Sequence, residues 1–189
     1  MYTYRSILSG ILIGIGGYAN LIVGNVIGAV LFSVGLLSVI GFQLPLYTGM
    51  VSNKENYNNV SNLLKVLFWN FVGADLLAAY TKILGVYTEN FAIIAQTKLN
   101  EPILTALFNA ILCGICVSIA VKYRHEIVVI LAVTLFILCG GEHCVADAFY
   151  CGLLNHVGFM DMLHVLGFLL VVIVGNTFGG WFFLKISKE

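Results

Sequence analysis

Charge is scarce in this sequence. Asp, Glu, Lys and Arg make up only 10% of the 189 residues, whereas soluble domains contain roughly 25%. Nine basic and nine acidic residues give a net charge of zero, which excludes nucleic acid as a partner because nucleic-acid binding needs a basic surface. No charged residue occurs between positions 6 and 53, a stretch long enough for two membrane spans of roughly 20 residues each. Since 60% of the residues are hydrophobic and the mean hydropathy is +1.01, we predict a polytopic integral membrane protein.

Motifs for metal, redox or catalytic chemistry are also rare. Cys113 and Cys116 have the C-x-x-C spacing, but neither a second pair nor a histidine cluster accompanies them. Glu142 and His143 do not form an H-E-x-x-H motif. The sequence therefore predicts no metal, no cofactor and no enzymatic activity. A membrane enzyme or redox sensor that uses Glu142, His143 and the cysteines remains an alternative.

Apolar stretches predict six transmembrane helices, because lipid leaves no water for unpaired backbone groups. They lie at about 6–25, 28–51, 63–84, 103–121, 127–154 and 162–184. An even number of spans puts both termini on one side, which then carries Arg5, Lys54, Lys65, Lys122, Arg124, Lys185 and Lys188. Only Lys82 and Lys98 remain on the other side. By the positive-inside rule, we expect both termini in the cytoplasm.

Two of the spans are predicted to be broken. Pro45 interrupts the second span, and Gly140-Gly141 interrupts the fifth directly before Glu142 and His143. Irregular backbone at membrane depth persists only where it lines a cavity or is covered by protein. We therefore expect the backbone N–H groups freed at the first break, near Thr48, to face a cavity that could hold an anion.

The two halves of the chain resemble each other. Residues 9–15 parallel 109–115 at an offset of 100, residues 41–43 parallel 140–142 at 99, and residues 70–73 parallel 176–179 at 106. Three spans per half require opposite topologies. The sequence thus predicts one channel domain over residues 1–189, with inverted three-helix repeats at about 6–85 and 103–185 and a transport path where they meet.

Several motifs together match one family. They are Phe32-Ser-Val-Gly-Leu36, Leu46-Tyr-Thr-Gly49, Asn70-Phe-Val-Gly-Ala74, Ile111-Leu-Cys-Gly114, Gly141-Glu-His-Cys-Val-Ala146 and Gly175-Asn-Thr-Phe-Gly-Gly180, and Lys98 lies 16 residues before Gly114. With these motifs the chain resembles the formate/nitrite transporter family of pentameric anion channels. The resemblance implies an all-α membrane protein with an aquaporin-like protomer of six helices, a homopentamer in the lipid bilayer, and a prokaryotic-type plasma (inner) membrane.

The resemblance also implies a role for each motif. His143 is expected at the centre of the substrate path, with Thr48, Asn176 and Lys98 beside the path. Glu142 and Asn70 are expected to support it. A dry constriction is expected from Phe32, Leu36, Leu46, Tyr47 and Phe136. Taken without the resemblance, these residues have structural explanations as well: a buried hydrogen-bonded histidine, an interfacial lysine, asparagines that join helices, and ordinary apolar packing.

Four residues depart from the family pattern. Gly114 stands where the family commonly has Asn, so one hydrogen-bond donor of the pore is expected to be missing. Pro45 stands at a usually acidic position. Tyr47 replaces a Phe of the constriction, and Asp147 replaces an Asn. Selectivity is expected to depend on these positions.

The expected function is a channel or transporter for small monovalent weak-acid anions. Formate and nitrite come first, and hydrosulfide, acetate and lactate are alternatives. Proton linkage is expected through His143, because an unperturbed histidine titrates near neutral pH. A water or glycerol channel shares the architecture but carries paired Asn-Pro-Ala boxes, which this sequence lacks.

Overall fold

The computed structural model describes residues 2–85, 89–154 and 158–187, and the regular structure within these ranges is helical. In chain order the helices are α1 (Tyr2–Val23), α2 (Asn25–Gly41), α3 (Tyr47–Met50), α4 (Val60–Ile83), α5 (Glu89–Leu99), α6 (Ile103–Tyr123), α7 (Glu126–Leu138), α8 (Cys144–Leu153) and α9 (Phe159–Ile186), with a 3-10 turn at Lys54–Asn59. Four of them, α1, α4, α6 and α9, are long and apolar enough to cross a membrane. The structure therefore agrees with the predicted all-α membrane class.

Both predicted breaks are present. The second predicted span consists of α2, which ends at Gly41, and the single turn α3, which begins at Tyr47. The fifth predicted span consists of α7, which ends at Leu138, and α8, which begins at Cys144. Each break brings non-helical backbone into the interior of the protein, where its polar groups need partners.

Equivalent glycines mark the closest helix crossings. A Cβ added to Gly10 of α1 would collide with the carbonyl oxygen of Asn70 in α4. A Cβ added to Gly114 of α6 would collide with the carbonyl oxygen of Asn176 in α9. Backbones approach this closely only where a small residue lies between them. Gly10 and Gly114 thus occupy corresponding places in the contacts of α1 with α4 and of α6 with α9.

Two of the sequence matches pair different residues from those that these contacts and the two breaks bring into similar positions. The offset of 100 pairs Gly14 with Gly114, whereas the crossings pair Gly10 with Gly114. The offset of 99 pairs Gln43 with Glu142. The residue that shares the left-handed conformation of Gln43 (φ 51°) in the other break is Gly140 (φ 75°). Short runs of glycine and aliphatic residues match at several offsets by chance, so sequence alone does not fix their register.

The hydropathy pattern does not predict α5, which follows α4 and packs against α8. Phe91 of α5 meets Tyr18 of α1 edge to face, with 6.4 Å between the ring centroids. The last turn of α5 carries Lys98. This helix therefore fixes the position of Lys98, which the sequence places in a link between two spans.

Candidate functional site

Asn176 of α9 clamps the break between α7 and α8. Its side chain is fully buried. Nδ2 donates hydrogen bonds to the carbonyl oxygens of Ala110 (2.9 Å) and Glu142 (2.7 Å), and Oδ1 accepts one from the N–H of Cys144 (2.9 Å). Because both amide hydrogens are used, Asn176 has no donor left for a substrate. It acts as a structural clamp on the broken helix, and the place on the substrate path that the resemblance implies stays a prediction.

Asn70 of α4 clamps the other break in the same way. Nδ2 donates to the carbonyl oxygens of Ser6 (2.8 Å) and Pro45 (3.1 Å), and Oδ1 accepts from the N–H of Tyr47 (2.9 Å). This arrangement fits the supporting role expected of Asn70. The two clamps occupy the N–H groups of Tyr47 and Cys144, so these two donors are used within the protein, and the expectation for the other N–H groups near Thr48 stays a prediction.

His143 and Thr48 meet where the two breaks come together. Their exposed fractions are only 2% and 1%. Nε2 of His143 lies 2.9 Å from Oγ1 of Thr48, and Nδ1 accepts a hydrogen bond from the N–H of Ala146 (3.2 Å). A backbone N–H can only donate, so Nδ1 carries no hydrogen and the neutral ring carries it on Nε2. His143 therefore donates to the Thr48 oxygen, which leaves the hydroxyl hydrogen of Thr48 for another acceptor.

Aromatic rings lead away from this pair. The ring of Phe136 stacks on the imidazole of His143, with 6.3 Å between centroids and 17° between planes. Phe32 meets Phe136 edge to face at 6.0 Å, and Leu36 lies one turn further along α2. All four side chains are buried, with at most 2% exposed. The structure thus brings together three of the residues expected to form the constriction.

Two cavities approach this region from opposite ends of α6. The Arg124 cavity, about 200 Å³, is lined by Leu46, Gly49, Asn53, Asn56 and Arg124 among others. The Lys98 cavity, about 90 Å³, is lined by Asn20, Lys98, Phe136, His143, Asp147 and Tyr150 among others. Lys98 precedes α6 and Arg124 follows it, and a helix of this length spans about 30 Å. Leu46 therefore lies in the wall of one cavity, and Phe136 and His143 lie in the wall of the other.

Lys98 is paired with carboxylates. Its Nζ lies 2.6 Å from Oε2 of Glu142 and 3.5 Å from Oδ1 of Asp147. It also lies over the ring of Tyr150, 5.5 Å from the centroid. If both carboxyl groups are ionised, the three charges sum to minus one. The sequence leads one to expect that the charge of Lys98 attracts an anion into this cavity. With both carboxylates ionised, Lys98 alone does not have that effect.

A further carboxyl group lies next to this cluster. Glu101 accepts a hydrogen bond from Asn109 Nδ2 at 2.9 Å. Burial and the charge of Glu142 raise the pKa of Glu101 above its ordinary value. For Lys98, burial lowers the pKa, but the charges of Asp147 and Glu142 outweigh this effect and raise it. Lys98 thus stays charged, while Glu101 favours taking up a proton.

The departures from the family pattern have structural consequences. No side chain fits at Gly114, because α9 lies directly against it. This residue therefore serves helix packing, and an Asn donor has no room there. The hydroxyl of Tyr47 lies 2.8 Å from Oγ1 of Thr177, so Tyr47 joins α3 to α9. Pro45 supplies a carbonyl oxygen to the clamp formed by Asn70.

In residues 2–85, 89–154 and 158–187, no three His, Cys, Asp or Glu side chains come together as a possible metal site. Cys113 and Cys116 are buried free thiols.

Comparison with known proteins assigns this architecture to a family. The model of the formate/nitrite transporter family matches residues 1–188. The chain belongs to the formate/nitrite transporter family. The fold is similar to that of a pentameric formate channel with formate bound, at a TM-score of 0.79 and 23% identity over 97% of this chain and 96% of that one. It is also similar to an FNT family ion channel, at a TM-score of 0.84 and 22% identity over 98% and 88% of the two chains. No curated protein matches the chain.

This family member has further residues at the cavity that motif analysis does not assign to the site. Asp147 and Tyr150 follow His143 at positions i+4 and i+7 in α8, and both line the Lys98 cavity together with Asn20 of α1. Residues at this spacing share one face of a helix. The periodicity could have identified Asp147 and Tyr150, but nothing in the sequence indicates that Asn20 joins them.

Proposed function

We propose that this protein is a channel for small monovalent weak-acid anions, with formate or nitrite as the first candidates, and that it is not an enzyme. One observation carries the proposal. A cavity at the Lys98 end of α6 reaches His143, which pairs with the buried Thr48, and a second cavity at the Arg124 end is lined by Leu46 and Gly49, on either side of Thr48 in the chain. Family membership and the likeness to a channel with bound formate support the same class of substrate. Hydrosulfide, acetate and lactate are the alternative substrates.

The pair of polar groups offers the anion one hydrogen-bond donor. Nε2–H of His143 holds the Thr48 oxygen, so the Thr48 hydroxyl hydrogen can donate to an anion that passes. Phe32 and Phe136 exclude hydrated ions, because a bare charge among apolar groups costs several kcal/mol. Passage is therefore easiest for an anion that can become neutral by taking up a proton. Chloride, whose conjugate acid is strong, is excluded on this reasoning.

We also propose the arrangement in the membrane. The four long helices, together with α2–α3 and α7–α8, make six crossings, and the corresponding clamps at Asn70 and Asn176 support two inverted repeats. The basic residues at the start of α1, near the start of α4 and at the end of α6 favour a cytoplasmic position for the Arg124 end. Accordingly, the Lys98 cavity opens to the outside in a prokaryotic-type inner membrane.

The protomer is proposed to assemble as a homopentamer with one path per protomer. The support is the likeness to a pentameric channel and the large apolar side chains exposed on the outer helices, such as Phe108, Leu131 and Leu170. Native mass spectrometry of the protein released from nanodiscs is expected to give five subunits. A mass of one or two subunits would refute this part of the proposal.

Flux into proteoliposomes tests the function. Formate, nitrite, hydrosulfide and chloride are compared at about pH 5 and about pH 7.5, a range in which weak acids and histidine change their protonation. We expect fast weak-acid flux that excludes chloride, and a reduced flux in His143→Asn. Equal flux in wild type and His143→Asn at both pH values would remove His143 from the path. Flux of glycerol without any anion flux would favour the neutral-solute channel.

A further inference from the structure

Asp147 is a buried carboxyl group that lacks a hydrogen-bond partner among the described residues. It lies in the first turn of α8 with 1% of its surface exposed, and it lines the Lys98 cavity. In the part of the chain that the structure describes, neither carboxyl oxygen accepts a hydrogen bond. The nearest cation is Lys98, whose Nζ lies 3.5 Å from Oδ1 but is engaged by Glu142 at the shorter distance of 2.6 Å. Such a group is far less costly as a neutral acid than as a carboxylate.

The charge balance of the cavity favours the same form. With Asp147 ionised, Lys98, Glu142 and Asp147 sum to minus one, and an anion entering beside them is repelled. With Asp147 neutral, the sum is zero and its O–H is available as a donor. We propose that Asp147 holds a proton in the resting channel and transfers it to the weak-acid anion in the Lys98 cavity. This inference rests on the proposed anion channel and names the group that supplies the proton.

His143 is poorly arranged for that task. Its Nδ1 accepts the N–H of Ala146 and caps α8, so a second proton there would break the cap. The only N–H hydrogen of the neutral ring, on Nε2, points to Thr48, and loss of this proton would leave an imidazolate. His143 therefore remains a neutral hydrogen-bond donor, and the proton comes from the acid four residues further along the same helix.

The transfer balances without another reactant. The O–H bond of Asp147 breaks, an O–H bond forms on the anion, and the electron pair stays on Asp147. The new carboxylate is stabilised by the Lys98 ammonium while the neutral acid moves past Phe136. A hydronium ion from the water at the Lys98 end then restores the proton, and flux in the opposite direction reverses the steps. One proton thus moves with each anion.

The groups that face Asp147 set its titration. Those in electrostatic reach are Lys98 from α5, Cys113 from α6, Glu142 ahead of α8, and Cys144, Tyr150 and Cys151 in α8. The neighbour from α1 is the uncharged Asn20, and Asp75 of α4 lies further along α8, against Gly152. The thiols and the phenol are neutral near pH 7, so Lys98 and Glu142 exert the main influence on Asp147.

The test combines a spectrum with a flux ratio. Infrared difference spectra of purified wild type and Asp147→Asn, recorded near neutral pH without any anion, report whether the wild type has a carboxylic-acid band that the variant lacks. In proteoliposomes with an internal pH dye, the wild type is expected to move one proton per labelled formate. In Asp147→Asn the formate flux is expected to be about 100-fold lower than in the wild type, as is typical when a positioned proton donor is removed. Asp147→Glu, which keeps an acid, is expected to restore proton movement.

Glu126→Gln, an acid-to-amide change at the exposed start of α7, is the matched control and is expected to behave as wild type. An Asp147→Asn channel with unchanged formate flux and unchanged pH profile overturns the inference, as does a spectrum without the carboxylic-acid difference. If the wild type shows the band but carries no anion, the proposed function fails and the proton transfer fails with it, while the neutral state of Asp147 stands. Absence of the band together with anion flux overturns the inference alone.

Discussion

Gly114 allows the sharpest test of the packing that holds the site. The change is Gly114→Ala, the smallest side chain that can be added. The new Cβ would collide with the backbone carbonyl of Asn176, which no rotamer change can relieve. Overpacking of this kind costs about 1–3 kcal/mol, and the gain from replacing glycine in a helix offsets roughly 0.5–1 kcal/mol. We expect a net loss of about 1 kcal/mol in the free energy of unfolding, or about fivefold in the unfolding equilibrium.

The effect should extend to transport, because α9 carries the Asn176 clamp. If α9 moves away from α6, the bonds from Asn176 to Glu142 and Cys144 lengthen. The assay is unfolding in mixed micelles, followed by formate flux in proteoliposomes. Gly167→Ala in α9 is the matched control, since nothing lies within 4 Å of a Cβ added there, and it should be neutral or slightly stabilising. If Gly114→Ala is as stable and active as Gly167→Ala, the close contact and the packing role of Gly114 are refuted.

Three further changes test the clamp, the central pair and the charge cluster. Asn176→Leu removes three buried hydrogen bonds, each worth about 0.6–1.7 kcal/mol between membrane helices. The variant should therefore lose about 2–5 kcal/mol of unfolding free energy, and Asn70→Leu should lose a similar amount. A loss smaller than that of Gly114→Ala would contradict the clamp. Thr48→Val keeps the shape but removes the hydroxyl, so flux should fall, and stability should fall by about 1–3 kcal/mol because the Nε2–H of His143 loses its acceptor. Thr48→Ser should retain both; full flux in the valine variant would exclude the hydroxyl as a donor. The raised pKa of Glu101 means that the folded state binds this proton more tightly than the unfolded state, so wild-type stability should fall relative to Glu101→Gln as the pH rises above about 4.5. Unfolding curves of the two proteins that stay parallel from acidic to neutral pH would contradict this expectation.

The class of the protein and the positions of its breaks were predictable from the sequence. Long uncharged stretches leave membrane helices as the only solution for the backbone, and Pro45 and the pair at Gly140 mark where two of these helices stop. The motif around His143 was sufficient to indicate the family, because its spacing is specific. The register of the repeats was not predictable, since apolar runs match at several offsets.

The roles of individual polar residues were harder to predict. Asn176 and Thr48 both read as polar residues in apolar spans, yet Asn176 uses both of its donors on backbone carbonyls while Thr48 keeps its hydroxyl hydrogen. Lys98 read as a charge that attracts anions, but α5 places it against Glu142 and Asp147. The residue type determines which hydrogen bonds a side chain can form. The neighbouring residues in the fold determine which of these bonds it does form.

The sequence by itself therefore determined a helical membrane protein of the formate/nitrite transporter family with two interrupted helices, because hydropathy, helix breakers and motif spacing are local properties of the chain. The tertiary structure decided which hydrogen-bond donors remain for a substrate and which glycines lie at helix crossings. It also decided that Asp147 is a buried acid that has no hydrogen-bond partner among the described residues. These are properties of contacts between residues distant in sequence, such as His143 with Thr48 or Lys98 with Glu142. Hydrogen-bond and charge balances inside a protein depend on such contacts, which exist only once the helices have packed.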